Sequence, residues 1–198
     1  LENNIEINSS IGIDPTLHSN SEIKKIEELA KKKKTLVKYL EKNPIDNLWS
    51  DQPPYPQSQA FIHKEKYAGK SSIDKLHNLQ SILESSSIDH YILTSLDSIA
   101  WLLNIRGNDI LHIPIILSFA IVPRSGKIEL FVDDGKIANI KKKLQDIVNF
   151  HSFKDIEDYL ITINNSVIGM DEDRTAYNFS KICNDNNLSI KYLPDPCV

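Results

Sequence analysis

The chain has 198 residues, 40% of them hydrophobic and 25% charged, with a formal net charge of −4 and a sequence pI near 5.9. That length supports one good core, or one domain with part of another. The acidic balance argues against nucleic acid or an anionic membrane as an obligate partner, and no run of about 18 apolar residues offers a membrane span. The two cysteines, Cys183 and Cys197, fit a reducing compartment. Leu1 to Glu6 carry neither the basic nor the apolar region of a signal peptide. A cytoplasmic location is therefore expected.

The chain opens as strand, helix, strand. Ile11-Gly12-Ile13-Asp14-Pro15 is a short apolar run halted by proline, and Ser21 is placed to cap a helix with Ile23, Ile26 and Leu29 at helical spacing. A strand over 35–40 follows. This piece cannot bury a core alone, so residues 1–42 read as the C-terminal part of a first domain that begins upstream. Pro44, Pro53, Pro54 and Pro56 block helix and ladder across 43–58, which predicts an extended interdomain connection with Trp49 pinned against a neighbour.

Residues 59–198 then alternate regularly. A helix is predicted over 72–86 with Ile73, Leu76, Leu79 and Leu83 on one face, then a strand over 91–94 and a helix carrying Ile99, Trp101, Leu102 and Leu103. Strands over 115–122 and 127–132 are joined by Pro123-Arg124-Ser125-Gly126, a hairpin turn by composition. Ile137, Ile140, Leu144 and Ile147 predict a helix over 136–148. A helix over 154–163, a strand over 166–171, a helix over 175–186 and a strand over 188–193 complete the chain. The fold class is α/β, with a mixed β-sheet flanked by helices.

Chemistry concentrates at one place. The apolar helical face ending at Leu103 runs into a polar knot, Asn104-Ile105-Arg106-Gly107-Asn108-Asp109. Gly107 suits a helix end, because glycine enters the left-handed conformation at no steric cost. Arg106 and Asp109 flank it closely enough to pair across the turn. Two readings stand: a structural corner held by a local ion pair, and an arginine offered to a cleft. Elsewhere the six histidines are scattered without metal-ligand spacing, and His90 and His112 read as packed or rim residues. Asp171-Glu172-Asp173 reads as an acidic cap before the helix at 175. No phosphate-cradling glycine loop and no Gly-x-Ser-x-Gly occurs.

Five stretches taken together resemble the three-domain aminopeptidase P family, the cytosolic type of Xaa-Pro aminopeptidase. They are Ile-Gly-Ile-Asp-Pro at 11–15, Asn-Leu-Trp-Ser-Asp-Gln-Pro-Pro-Tyr-Pro at 47–56, Leu-Asp-Ser-Ile-Ala-Trp-Leu-Leu-Asn-Ile-Arg-Gly-Asn-Asp-Ile at 96–110, Pro-Ile-Ile-Leu-Ser-Phe-Ala-Ile-Val at 114–122 and Leu-Phe-Val-Asp at 130–133. The resemblance implies the end of a first domain followed by a middle, creatinase-N-like domain. It also implies metal-dependent removal of an N-terminal residue that precedes proline. Two metal ions, usually manganese, would be held by two aspartates, a histidine and two glutamates of a C-terminal pita-bread domain. No position in this chain matches those ligands, so no catalytic or metal residue is expected in it, and the family's substrate-recognising arginine is expected upstream of Leu1.

By the same resemblance, Asn104, Arg106 and Asp109 become candidate substrate or domain-interface residues. The implied partners are the chain's own first and catalytic domains, a peptide substrate, and a second copy in a homodimer formed through the catalytic part. Neither nucleic acid nor membrane is expected. A non-catalytic peptide- or protein-binding module of the pita-bread family is the alternative, since fold does not fix function.

Overall fold

The structure, a computed structural model, describes residues 5–198. The first four residues of the expected first unit, and with them most of the segment read for a signal peptide, lie outside the described residues. Strand β1 (Ser10–Ile13) pairs in parallel with β2 (Leu36–Tyr39) through helix α1 (Asn20–Lys33). The helix starts two residues earlier than Ser21 predicts. Ser19 is the N-cap, and its hydroxyl and the Glu22 carboxylate close a reciprocal capping box. The stretch over 43–58 is not wholly extended: Asn43 caps α2 (Pro44–Leu48), with Pro44 at the helix start, where its missing N–H costs nothing. Trp49 is 47% exposed and Leu48 82%. Trp49 is therefore only half covered, not buried against a neighbour.

The remaining elements run β3 (Phe61–Ile62), α3 (Glu65–Ala68), α4 (Ser72–Ser85), β4 (His90–Leu93), α5 (Leu96–Leu102), β5 (Ile105–Arg106), β6 (Phe119–Pro123) and β7 (Ile128–Phe131). They continue with α6 (Asp134–Ile137), α7 (Lys141–Leu144), β8 (Val148–His151), α8 (Ile156–Thr162), β9 (Val167–Met170), α9 (Tyr177–Asp185) and β10 (Ser189–Tyr192). Six of these strands form one sheet in the order β10-β9-β4-β6-β7-β8. It is mixed, as expected. Strands β10, β9 and β4 are parallel, β4, β6 and β7 antiparallel, and β7 and β8 parallel again.

Alternation along the strands divides the core between the two faces. Tyr91, Leu93, Ala120, Val122 and Leu130 pack with Leu76, Leu79, Leu83, Leu102 and Ile137 from α4, α5 and α6. Ile92, Ile121, Phe131 and Met170 pack with Ile156, Leu160, Phe179 and Cys183 from α8 and α9. Each fully buried large side chain contributes about 1.5–3 kcal/mol, so this double-sided burial is what holds the sheet between its helices. The hairpin turn is where composition put it, with Gly126 at φ 97°.

Three expectations change. The helix predicted over 136–148 is two four-residue helices, and its last residue opens β8, an edge strand that apolar spacing concealed. The strand predicted from 115 begins only at Phe119. On α4, Ile73 faces solvent while Lys75 is buried.

The β1–α1–β2 unit rests on the sheet's β9–β10 side. Asn20 is buried and donates to the Thr175 carbonyl at 3.0 Å, the Tyr192 hydroxyl donates to its Oδ1, and Tyr39 stacks on Tyr177. The acidic triplet does not cap α9, whose N-cap is Ala176. Instead Asp171 accepts the amides of Asp173, Arg174 and Asp195, and Glu172 pairs with Lys24. A carboxylate this close to its own turn satisfies those amides first.

Candidate functional site

The corner from Asn104 to Asp109 is built from the end of α5 outward. Leu103 is still right-handed; Asn104, at φ 50°, makes the left-handed turn that Gly107 was expected to make. Asparagine tolerates that conformation because its short side chain bonds locally. Asn104 Oδ1 accepts the Lys75 ammonium at 2.6 Å, and Nδ2 donates to the Lys70 carbonyl at 2.9 Å. Its own carbonyl accepts the His63 amide. Lys75, only 2% exposed, also donates to the Trp101 carbonyl at 2.8 Å and lies 4.3 Å above the Trp101 ring. Burial, then the nearby Arg106 charge, pushes its pKa down.

Arg106 does not pair with Asp109. Its Nη1 donates to the carbonyls of Ala100 at 2.8 Å and Ile105 at 2.7 Å. Two cations thus meet the carbonyl end of α5, where the helix dipole favours positive charge. The backbone of β5 pairs antiparallel with β3, Phe61 opposite Arg106. Gly107 is required by space: a Cβ there would sit 2.2 Å from Ile116 Cγ2. The helix-end reading of this glycine fails because the turn was completed three residues earlier.

Asp109 is the centre of the corner, its side chain 0% exposed. Oδ1 accepts the Ser58 amide at 3.2 Å and the Ser58 hydroxyl at 2.6 Å. Oδ2 accepts the Leu117 amide at 2.7 Å and the Lys136 ammonium at 2.5 Å. Lys136 is 3% exposed. Burial alone would raise the Asp109 pKa, but bonds from Lys136, Ser58 and Leu117 outweigh it and hold the carboxyl below its ordinary value. This also explains why residues 115–117 do not extend β6: the Leu117 amide is bound to Asp109, and the Ile115 carbonyl accepts the Asp109 amide.

The corner therefore joins the Pro-rich stretch (Ser58), the loop before β6 (Leu117) and α6 (Lys136) through one carboxylate. Its charges are all engaged internally, which suits rigid positioning and leaves no free base or nucleophile at this point. What it holds out is the turn 110–113, closed by the Ile113 amide on the Ile110 carbonyl, with His112 at φ 66° and Leu111 80% exposed. Sequence reasoning missed Lys75, Lys136 and Ser58, because their partners are distant in the chain. The one available signal was a lysine set among the apolar positions of α4. His90, on β4, has a buried Nδ1 with no partner, and burial lowers its pKa. Among the described residues, no group of three or more His, Cys, Asp or Glu side chains could hold a metal ion. No helix among them is long and apolar enough to cross a membrane.

A mixed sheet sandwiched between helices has clear counterparts. Residues 51–198 match the family model described as the Creatinase/Prolidase N-terminal domain. The chain belongs to that family. It is 31% identical over 169 residues to the probable Xaa-Pro aminopeptidase P of Leptosphaeria maculans, covering 85% of this chain and 28% of that protein. It is 38% identical over 130 residues to the Neurospora crassa protein of the same description, covering 65% of this chain and 19% of that one. The chain thus spans less than a third of the length of these curated relatives. Among solved structures, the X-prolyl aminopeptidase of Caenorhabditis elegans, described as a cytosolic enzyme with a di-nuclear active site, superposes with a TM-score of 0.85. That match covers 98% of this chain and 33% of the nematode chain at 22% identity, and it shows a shared fold.

Proposed function

We propose that this chain is a non-catalytic N-terminal-region segment of a metal-dependent Xaa-Pro aminopeptidase, whose full-length form removes the N-terminal residue preceding proline from peptides. The observation that carries the reading is the similarity to proteins described as probable Xaa-Pro aminopeptidase P, across as much as 85% of this chain. Residues 1–42 are then the end of a first domain, 43–58 the connection, and 59–198 the middle domain. The described residues do not fit a dinuclear metal site, so the ions, manganese in this reading, belong to a catalytic domain further along the parent polypeptide. No hydrolytic step is assigned to this segment. The parent works in the cytoplasm as a homodimer joined through that catalytic domain.

The segment's own task is positional. Asn104 and Arg106 close the end of α5, and Asp109 ties three stretches of backbone together. The rigid turn 110–113 they support presents Ile110, Leu111 and Ile113 to the catalytic domain. Exposed apolar side chains held on an immobile base are the usual make-up of an interface anchor. Arg106→Ala in the full-length enzyme tests this. Loss of its bonds to the Ala100 carbonyl of α5 and the Ile105 carbonyl of β5 is expected to lower Tm by several degrees. It should also reduce kcat/KM on an Xaa-Pro peptide severalfold. Unchanged Tm together with unchanged kcat/KM would remove the corner from the mechanism.

A further inference from the structure

The short β3–β5 ribbon has one edge that β5 does not use. The His63 amide donates to the Asn104 carbonyl at 2.8 Å, and Phe61 stands opposite Arg106. In an antiparallel pair, residues that bond across alternate with residues that do not. Phe61 and His63 therefore turn their backbone groups toward β5, while Ala60 and Ile62 turn theirs the other way. Ala60 confirms the direction, because its amide donates to the Lys136 carbonyl of α6 at 2.7 Å. At Ile62 that tether has ended. Ile62 lines a groove of about 400 Å³ that runs between β3 and the α6–α7 segment.

The groove combines apolar walls with unpaired cations. Ala60 and Ile140, both buried, supply the apolar part, and Phe61, 48% exposed, extends it. The Asn139 side-chain amide donates to Gln59 Oε1 and closes one end. Lys64 and Lys143 also line the groove; both are exposed, and neither joins an ion pair among the described residues. Residues 59–70 and 139–143 together hold six lysines and one acid, Glu65, in a chain whose net charge is −4. The groove is thus a positive island on an acidic molecule, and its field draws anionic partners. Lysines beside a free edge keep indiscriminate strands away. The same lysines admit a strand that carries carboxylates.

We propose that the free edge of β3 is a docking site for an extended acidic segment of another protein. The segment adds as a strand, its backbone bonding the Ile62 N–H and C=O, and it sets carboxylates on Lys64 and Lys143. Strand addition of this kind takes affinity from main-chain bonds and specificity from the side chains that flank the edge. No chain terminus is recognised, so the occupant is an internal segment, and the inference is independent of the proposed function.

The test is a titration of the 198-residue chain with N-acetyl-Glu-Val-Glu-Val-Glu amide, a probe without a free terminus, followed by backbone amide NMR. Shifts at Ile62, Lys64 and Asn139 to Lys143 are expected, with a Kd of about 1 mM. The uncharged counterpart, with Gln in place of each Glu, should bind about tenfold more weakly. So should the acidic probe N-methylated at its central residues, which keeps the charges and loses the ladder bonds. Lys64→Glu combined with Lys143→Glu should abolish the preference for the acidic probe. Because both lysines are exposed and unpaired, the circular dichroism and Tm of that variant should match those of the parent chain. Absence of shifts up to about 10 mM, equal binding of the Gln probe, or equal binding of the N-methylated probe would each overturn the proposal. Shifts of the same amides on concentrating the chain alone would assign the edge to a second copy and overturn it as well.

Discussion

Lys136 and Asp109 meet out of reach of water, and Asp109 also carries two backbone amides and a hydroxyl. Removing one member of a buried pair leaves the other charge uncompensated, at a cost of about 3 kcal/mol. Lys136→Met is therefore expected to lower Tm by roughly 6–12 °C in thermal unfolding at neutral pH. Replacing both, as Lys136→Met with Asp109→Leu, should not restore stability, because the Ser58 and Leu117 amides would lose their acceptor. The pH dependence has a definite sign. The Asp109 pKa is lowered on folding, so its contribution is complete above its unfolded value and disappears as pH falls through the folded one. The deficit of Lys136→Met should accordingly be largest near neutrality and shrink below about pH 4. An unchanging deficit would contradict the assignment.

Gly107 is the second informative residue. A Cβ there would collide with Ile116 Cγ2, so Gly107→Ala should cost about 1–3 kcal/mol by overpacking. Gly107→Ala with Ile116→Ala should be less destabilised than the sum of the single variants, measured by denaturant unfolding. The sequence singled out this glycine, and a helix end nearby, for a reason that turned out to be wrong. It showed that the chain must bend at 103–107 but not that Asn104 makes the bend. Nor did it show that Arg106 and Asp109 look away from each other, because each is claimed by a partner nearer in space.

At the scale of elements, periodicity was informative where an element is long and weak where it is short. Helices α1 and α4, the β6–β7 hairpin, and the β9–α9–β10 run were legible from apolar spacing and turn composition. Strand β8 was not. Its four residues, Val148 to His151, follow Ile137, Ile140, Leu144 and Ile147, whose spacing suits a helix, and the break between α6 and α7 has no proline to mark it. Helix α2 was hidden by prolines that block ladders but welcome a helix start. The packing of α1 on the sheet rests on a side chain no pattern marks. Asn20→Ala would leave the buried Thr175 carbonyl unpaired, costing about 1–3 kcal/mol. Hydrogen exchange should then show faster amides in β1 and β2, with β4 and β6 unaffected. Uniform acceleration would mean the two parts unfold as one.

At the scale of the whole molecule, a mixed sheet buried on both faces supports a corner whose charges are spent internally and a turn whose apolar side chains are spent on nothing. This organisation fits the supporting role proposed for the segment. The fold class was legible because strands and helices alternate. The candidate site was legible only in its location, since a network assembled from Ser58, Asp109, Leu117 and Lys136 spans 79 positions of chain and leaves no local motif. The most direct measurement is the release of the first residue from an Xaa-Pro peptide by the purified 198-residue chain, with manganese added and with chelator. No release above the uncatalysed background is expected in either condition. Metal-dependent turnover by this chain alone would contradict the supporting role.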